Sequence, residues 1–163
     1  MKSLRVLLSL LLVSLATTAF AASDVQTAFE KLKSLEGAWA GKADDGRSVQ
    51  VSNRVISGGS VVMSEIQNEN MISMFHLDGD RLLMTHYCSA GNQPRMQGTI
   101  SPDGKTITFN FLDATNLLSS QPGHMQRLVV TILDDNHHTE EWDFLDKAGT
   151  VHHHELFDLQ RTK

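Results

Sequence analysis

Gly37-Ala38-Trp39-Ala40-Gly41 opens a series of extended segments that continues to the end of the 163-residue chain. These segments are rich in β-branched and aromatic residues, which favour strands. Short glycine-containing turns separate them, and such turns connect antiparallel neighbours. The turns are Gly58-Gly59, Asp78-Gly79, Asp103-Gly104 and Lys147-Ala148-Gly149. The pattern predicts an all-β fold with an up-and-down order of strands.

The spacing of the turns predicts about ten antiparallel strands. They fall near residues 38–43, 47–56, 60–69, 70–77, 80–88, 94–101, 105–112, 125–134, 137–145 and 150–160. An antiparallel sheet of this size usually curls and closes, because closure removes its exposed edges. We therefore expect an up-and-down β-barrel, and a barrel of eight or more strands can hold one small ligand.

A short amphipathic helix over residues 24–36 is predicted before the first strand. Val25, Phe29, Leu32 and Leu35 recur at helical spacing. Ser23 and Gln26 have the spacing of a capping box, and Gly37 follows the last apolar position.

The first 21 residues have the pattern of a cleaved secretory signal peptide. Lys2 and Arg5 precede an apolar run over residues 6–16, and Ala19-Phe20-Ala21 matches a cleavage site. The run is too short to span a bilayer well. The sequence therefore predicts a signal peptide over 1–21 and one exported domain over 22–163, in the periplasm or secreted.

Charge and cysteine content exclude several classes of partner and bond. The chain has 14 basic and 19 acidic residues, a net charge of −5, and loss of Lys2 and Arg5 with the signal peptide makes this −7. Such an acidic domain is poorly suited to nucleic acid or to anionic membranes, so we expect neither nucleic-acid binding nor membrane insertion. Cys88 is the single cysteine, so no intramolecular disulfide can form. The oligomeric state is not readable from the sequence.

Turn geometry assigns residues to the two faces of each hairpin, because side chains alternate along a strand. We predict that Leu77 pairs with Asp80, Val55 with Val62 and Ile100 with Ile107, and that Met96 meets Phe111. The resulting apolar face contains Met71, Phe75, Leu77, Leu82, Met84, His86 and Cys88. In the last hairpin, Trp142 is predicted to face His153 inside the barrel, with Asp143 opposite His152 and Glu141 opposite His154 on the outside.

The segment 37–41, after a short helix and before a run of strands, resembles the start of lipocalin-like barrels of the calycin group. Their Gly-x-Trp motif uses the indole to close one barrel end. The spread of strands is also similar to nitrobindin, a ten-stranded relative that holds heme through a histidine near its C-terminus. Thr85-His86-Tyr87-Cys88 and Asn92-Gln93-Pro94-Arg95-Met96 resemble uncharacterised bacterial exported lipocalin-like domains, which imply no established reaction.

The leading hypothesis is an exported barrel that binds a small apolar or amphipathic molecule in its lumen, with no cofactor. Apolar burial would supply the affinity, and His86 and His153 would orient the ligand. The predicted ligand-binding residues are Trp39, Met71, Phe75, Met84, His86, Phe109, Phe111, Trp142 and His153.

Three alternatives remain open from the sequence. The resemblance to nitrobindin implies heme, with His153 as the axial ligand. An enzyme could use His86 with Cys88, or Glu140, although no catalytic residue is assigned. A barrel filled by its own side chains could serve as an interaction surface. No metal site is assigned, because alternation sends consecutive histidines of a strand to opposite faces.

Overall fold

The computed structural model describes residues 23–120, 123–146 and 151–162. The predicted signal peptide and the turn Lys147-Ala148-Gly149 lie outside these residues. One helix, α1 (Asp24–Ser34), precedes ten strands. The strands are β1 (Gly37–Ala43), β2 (Ser48–Ile56), β3 (Val61–Ile66), β4 (Met71–Asp78), β5 (Arg81–Tyr87), β6 (Gln93–Ile100), β7 (Thr106–Thr115), β8 (His124–Asp134), β9 (His137–Leu145) and β10 (Val151–Arg161).

The ten strands form a closed antiparallel barrel, as the sequence predicted. Each strand pairs with its neighbours in the chain, and β1 closes the ring by pairing with both β2 and β10. Closure requires a close backbone approach at Gly41, where an added Cβ would lie 1.7 Å from the carbonyl oxygen of Asp158. Glycine at this position lets the first and last strands meet.

Two of the predicted hairpin registers are confirmed and one is shifted. Val55 pairs with Val62 and Ile100 with Ile107, as expected. In the β4–β5 hairpin, Leu77 pairs with Leu82 instead of Asp80. The strand continues through Asp78, and the turn is formed by Gly79, at φ +62°, and the residue after it. Since the shift is by two residues, the predicted inward face is preserved.

The predicted register of the last hairpin is wrong. Trp142 pairs with Glu155, not with His153, and His153 pairs with Phe144. A bulge between Val151 and His153 adds a residue to β10. The pairing also begins one residue later than predicted, with Val151 opposite Leu145, so the register moves by two residues in total. Asp143 therefore lies opposite His154 rather than His152, and Glu141 lies opposite Leu156 rather than His154.

The helix α1 closes one end of the barrel, called here the helix end. Ser23 caps α1 by accepting a hydrogen bond from the backbone N–H of Gln26, and Phe29 and Leu32 are buried. The indole of Trp39 donates from Nε1 to the carbonyl oxygen of Leu35 at 2.8 Å. The guanidinium of Arg161 lies 4.3 Å from the centre of the Trp39 ring. The opposite end, called the mouth, includes the turns at residues 44–47, 67–70 and 88–92 and the start of β8. In the described part of the chain, no helix has the length and apolarity needed to cross a bilayer.

Candidate functional site

The half of the lumen nearest the helix end is a tightly packed apolar core. Phe75 of β4 and Phe109 of β7 contact each other inside the barrel, with ring centres 5.2 Å apart. Core side chains with at most 1% exposure include Trp39, Leu82, Met84, Met96, Ile107, Phe109 and Leu128. The continuous apolar core of the barrel includes six of the predicted ligand-binding residues: Trp39, Met71, Phe75, Met84, Phe109 and Trp142.

His86 lies in the lumen, on β5, and is fully buried. Its Nδ1 is 2.9 Å from Oγ of Ser73 on the neighbouring strand β4. Its Nε2 has no hydrogen-bond partner among the described residues. Burial lowers the pKa of His86 from 6.5 to about 4, so the imidazole is neutral at pH 7. A neutral imidazole with one free nitrogen can accept or donate one hydrogen bond, depending on its tautomer.

Across the lumen, His86 contacts Trp142 of β9, with ring centres 5.0 Å apart. Because β5 and β9 are not neighbours in the sheet, this contact spans the interior of the barrel. The prediction that both residues point inward is confirmed by this contact and by their burial. His86 and Trp142 therefore connect β5 and β9 across the lumen.

Four small or polar side chains form a polar row on the wall of β2 to β5: Asn53, Ser64, Ser73 and His86. Each pairs with the next across adjacent strands, and none is more than 8% exposed. Asn53 and Ser64 are 4% and 8% exposed. Asn53 and Ser64 were not predicted to lie in the lumen. Alternation along the strands from the correctly paired Val55 and Val62 would have placed both inside.

A second polar group lies on the opposite wall, around Glu140 of β9. Trp142 donates from Nε1 to Oε2 of Glu140 at 3.1 Å, and Nε2 of His138 lies 3.4 Å from Oε1. The His138 ring packs edge-on against Trp39 at 4.2 Å, and its Nδ1 has no partner among the described residues. Glu140 and His138 are 5% and 0% exposed. His138 was not singled out from the sequence, but its alternation with Glu140 on one strand indicates it.

At the mouth, Arg47 forms ion pairs with Glu69 and Glu155. Glu155 is buried and takes the position beside Trp142 that was predicted for His153. His153 shares the inward parity of Glu155 but lies at the rim, with 58% of its side chain exposed and its Nε2 3.6 Å from Oε1 of Glu155. The expectation that His153 lies deep inside, beside Trp142, is therefore wrong.

Two other predicted ligand-binding residues lie toward the mouth. Met71 is buried at the start of β4. Phe111 is half-buried and stacks on the ring of His124, with ring centres 4.1 Å apart. The turn at 88–92 is tied to the segment before β8, because Asn92 donates from Nδ2 to the carbonyl oxygen of Gly123 at 2.8 Å.

The structure does not join His86 and Cys88 into a reactive pair. The Nδ1 atom of His86 bonds to Ser73, and Cys88 Sγ lies 3.5 Å from the backbone N–H of Ala90. Burial raises the pKa of the Cys88 thiol, which opposes thiolate formation. Among the described residues, no group of three or more histidine, cysteine or acidic side chains is arranged to hold a metal ion.

The polar row and Trp142 thus lie in the lumen of a closed antiparallel β-barrel. No family model matches this chain, and none of the curated proteins does. Among solved structures, the chain is similar to Rv2717c from M. tuberculosis, with a TM-score of 0.55 and 16% sequence identity. The match covers 83% of this chain and 98% of that one. At this identity the likeness supports the barrel fold alone.

Proposed function

We propose that this protein binds a small apolar or amphipathic molecule in the mouth half of its lumen, beside His86 and Trp142. The observation that carries the proposal is the free Nε2 of His86, which is fully buried and lies beside an aromatic side chain. A buried polar atom without a partner costs about 1–3 kcal/mol, and a ligand that supplies the partner recovers this cost.

The apolar part of the ligand would pack against Trp142, Met71 and Phe111. Removing apolar surface from water contributes about 25 cal/mol per Å². Part of this free energy offsets the entropy lost on association, and the remainder from a short apolar tail is enough for micromolar binding. The packed core toward the helix end limits the depth of the site. The ligand would therefore enter through the mouth.

The proposal is tested by titrating the purified protein with the neutral fluorescent probe N-phenyl-1-naphthylamine. We expect saturable binding, and about tenfold weaker binding by a His86→Leu variant, since the oriented polar contact is lost. Arg95→Gln is the matched control, because Arg95 lies outside the barrel in an exposed ion pair with Asp113. No binding, or equal binding by both variants, would refute the role of His86. Native mass spectrometry of protein purified from its own cells would identify the natural ligand.

Export is part of the same proposal and rests on the sequence pattern of residues 1–21. A binding protein outside the cytoplasm would meet its ligand in the periplasm or in the medium. N-terminal sequencing of the mature protein should start at Ala22. A mature protein that retains Met1, or that stays in the cytoplasm after fractionation, would contradict this part of the proposal.

Heme is a second candidate ligand, favoured by the position of His153 at the rim on the inward-facing side of β10. Its imidazole is accessible, but iron would have to displace the contact between His153 Nε2 and Glu155. His76→Ala is the control, because His76 follows the buried Phe75 on β4 and so lies on the outer face of the barrel. A Soret band after mixing with hemin that is lost in His153→Ala and kept in His76→Ala would support this candidate. No band, or a band that His153→Ala leaves unchanged, would remove it.

A further inference from the structure

We infer that the ligand carries an uncharged, hydrogen-bonding head group, such as a primary amide or an alcohol, and that the polar row receives it. This inference rests on the proposed function and names the class of ligand for the same site. It is carried by the continuity of the row, by its unused hydrogen-bonding capacity and by the charges that face it.

The polar row is continuous across four strands. Asn53 pairs with Ser64, Ser64 with Ser73, and Ser73 with His86. Directly opposed residues of antiparallel strands have Cβ atoms about 4.5–5.5 Å apart, so neighbouring groups of the row can contact one small head group. The residues before and after them on the same inward face are apolar, for example Val51, Val62 and Met84. The row is thus a polar band within an apolar wall.

Part of the hydrogen-bonding capacity of the row is unused by the protein. Only the contact between Ser73 and His86 joins two of its side chains. The Nε2 of His86 is buried and has no partner among the described residues, while Asn53 and Ser64 add an amide and a hydroxyl to the same band. Buried polar side chains in proteins usually have a partner, which here would be a bound molecule or water. Asn53 offers both a donor and an acceptor, which matches an amide or a hydroxyl.

The charges around the row oppose an ionic head group. The row contains no cation, and the neutral His86 provides none at pH 7. The carboxyl groups of Glu140 and Glu155 lie inside the barrel on the opposite wall, and an anionic head group would lack a counter-charge. An ammonium group gains little, because Glu140 is already bound by Trp142 and His138, and Glu155 by Arg47. An uncharged head group needs no counter-charge and does not have to compete for the carboxylates of Glu140 and Glu155.

The test uses four ligands with the same twelve-carbon tail: dodecanamide, dodecanol, dodecanoate and dodecylamine. Each ligand competes with N-phenyl-1-naphthylamine for the purified mature protein at pH 7.5. The ligand concentrations are kept below those at which the ligands aggregate. We expect the amide and the alcohol to bind at least about tenfold more tightly than the two ions. If the carboxylate or the amine binds most tightly, or if all four bind equally, the inference is overturned while the proposed function stands.

Variants connect the preference to the row. Asn53→Leu and Ser64→Ala should each weaken dodecanamide binding about tenfold relative to probe binding, since the single N–H group of the probe would contact His86 and not these two residues. Ser52→Ala is the matched control, because Ser52 directly precedes Asn53 on β2 and points to the other face. Ser64→Ala is the more conservative variant and keeps the test decisive if Asn53→Leu fails to fold. Unchanged amide affinity in folded Ser64→Ala would show that the row holds only water and would overturn the inference. If neither the probe nor any of the four ligands binds, the proposed function fails, and the inference fails with it.

Discussion

His86 should make the protein sensitive to acid. The folded state lowers its pKa to about 4 through burial, whereas the unfolded chain has the ordinary value of 6.5. Above pH 6.5 the imidazole is neutral in both states and contributes nothing to the pH dependence. As the pH falls below 6.5, the unfolded state binds a proton that the folded state does not, so stability is lost down to about pH 4.

The size of this loss follows from the two pKa values. Linkage gives a decrease of about 3 kcal/mol in the free energy of unfolding between pH 7 and pH 4 from this residue alone. That is a large part of the 5–15 kcal/mol, roughly, by which a typical domain is stable. Other titratable groups also change the free energy of unfolding with pH. A comparison of variants is therefore needed to isolate the contribution of His86.

Urea unfolding at pH 7, 6, 5 and 4, followed by circular dichroism, measures the loss. In His86→Gln, where an uncharged side chain can still bond to Ser73, the decrease should be smaller by about 3 kcal/mol than in the natural protein. His153→Gln is the control, because it removes an exposed histidine at the rim and leaves the buried His86 in place. An equal decrease in His86→Gln and the natural protein would refute the burial of a neutral His86.

Three further substitutions test the closure of the barrel and an external ion pair. Gly41→Ala should prevent proper pairing of β1 with β10, because its Cβ would overlap a backbone carbonyl; the thermal midpoint should fall sharply, while Gly46→Asn in an open turn changes it little. Trp39→Phe should lower the free energy of unfolding by about 1–3 kcal/mol, measured in urea, since it leaves the carbonyl at the end of α1 without its indole donor. Asp143→Asn should lower the pKa of His154 in an NMR titration, because the hydrogen bond to Asp143 holds that pKa above its ordinary value; an unchanged pKa would contradict the pair. The stability that His154 contributes is present below its ordinary pKa and is lost as the pH rises through the raised value, so this pair and His86 act in different pH ranges.

Local sequence patterns determined the strands, the turns and most of the inward faces. Alternation and glycine turns are local properties, so ten strands and the burial of Met84, His86 and Trp142 could be read from short windows. A register error of two residues, as in the β4–β5 hairpin, leaves these faces intact. Asn53 and Ser64 were also within reach of the same arithmetic and were missed because no motif drew attention to them.

The tertiary structure alone decided which residues meet across the lumen. The contact of His86 with Trp142, and the chain from Trp142 through Glu140 to His138, depend on how the ring closes. A bulge in β10 moved His153 to the rim and placed Glu155 beside Trp142. Bulges and ring closure set the relative height of strands that are far apart in the chain, and no local pattern encodes that height, because it is fixed by hydrogen bonding around the whole barrel.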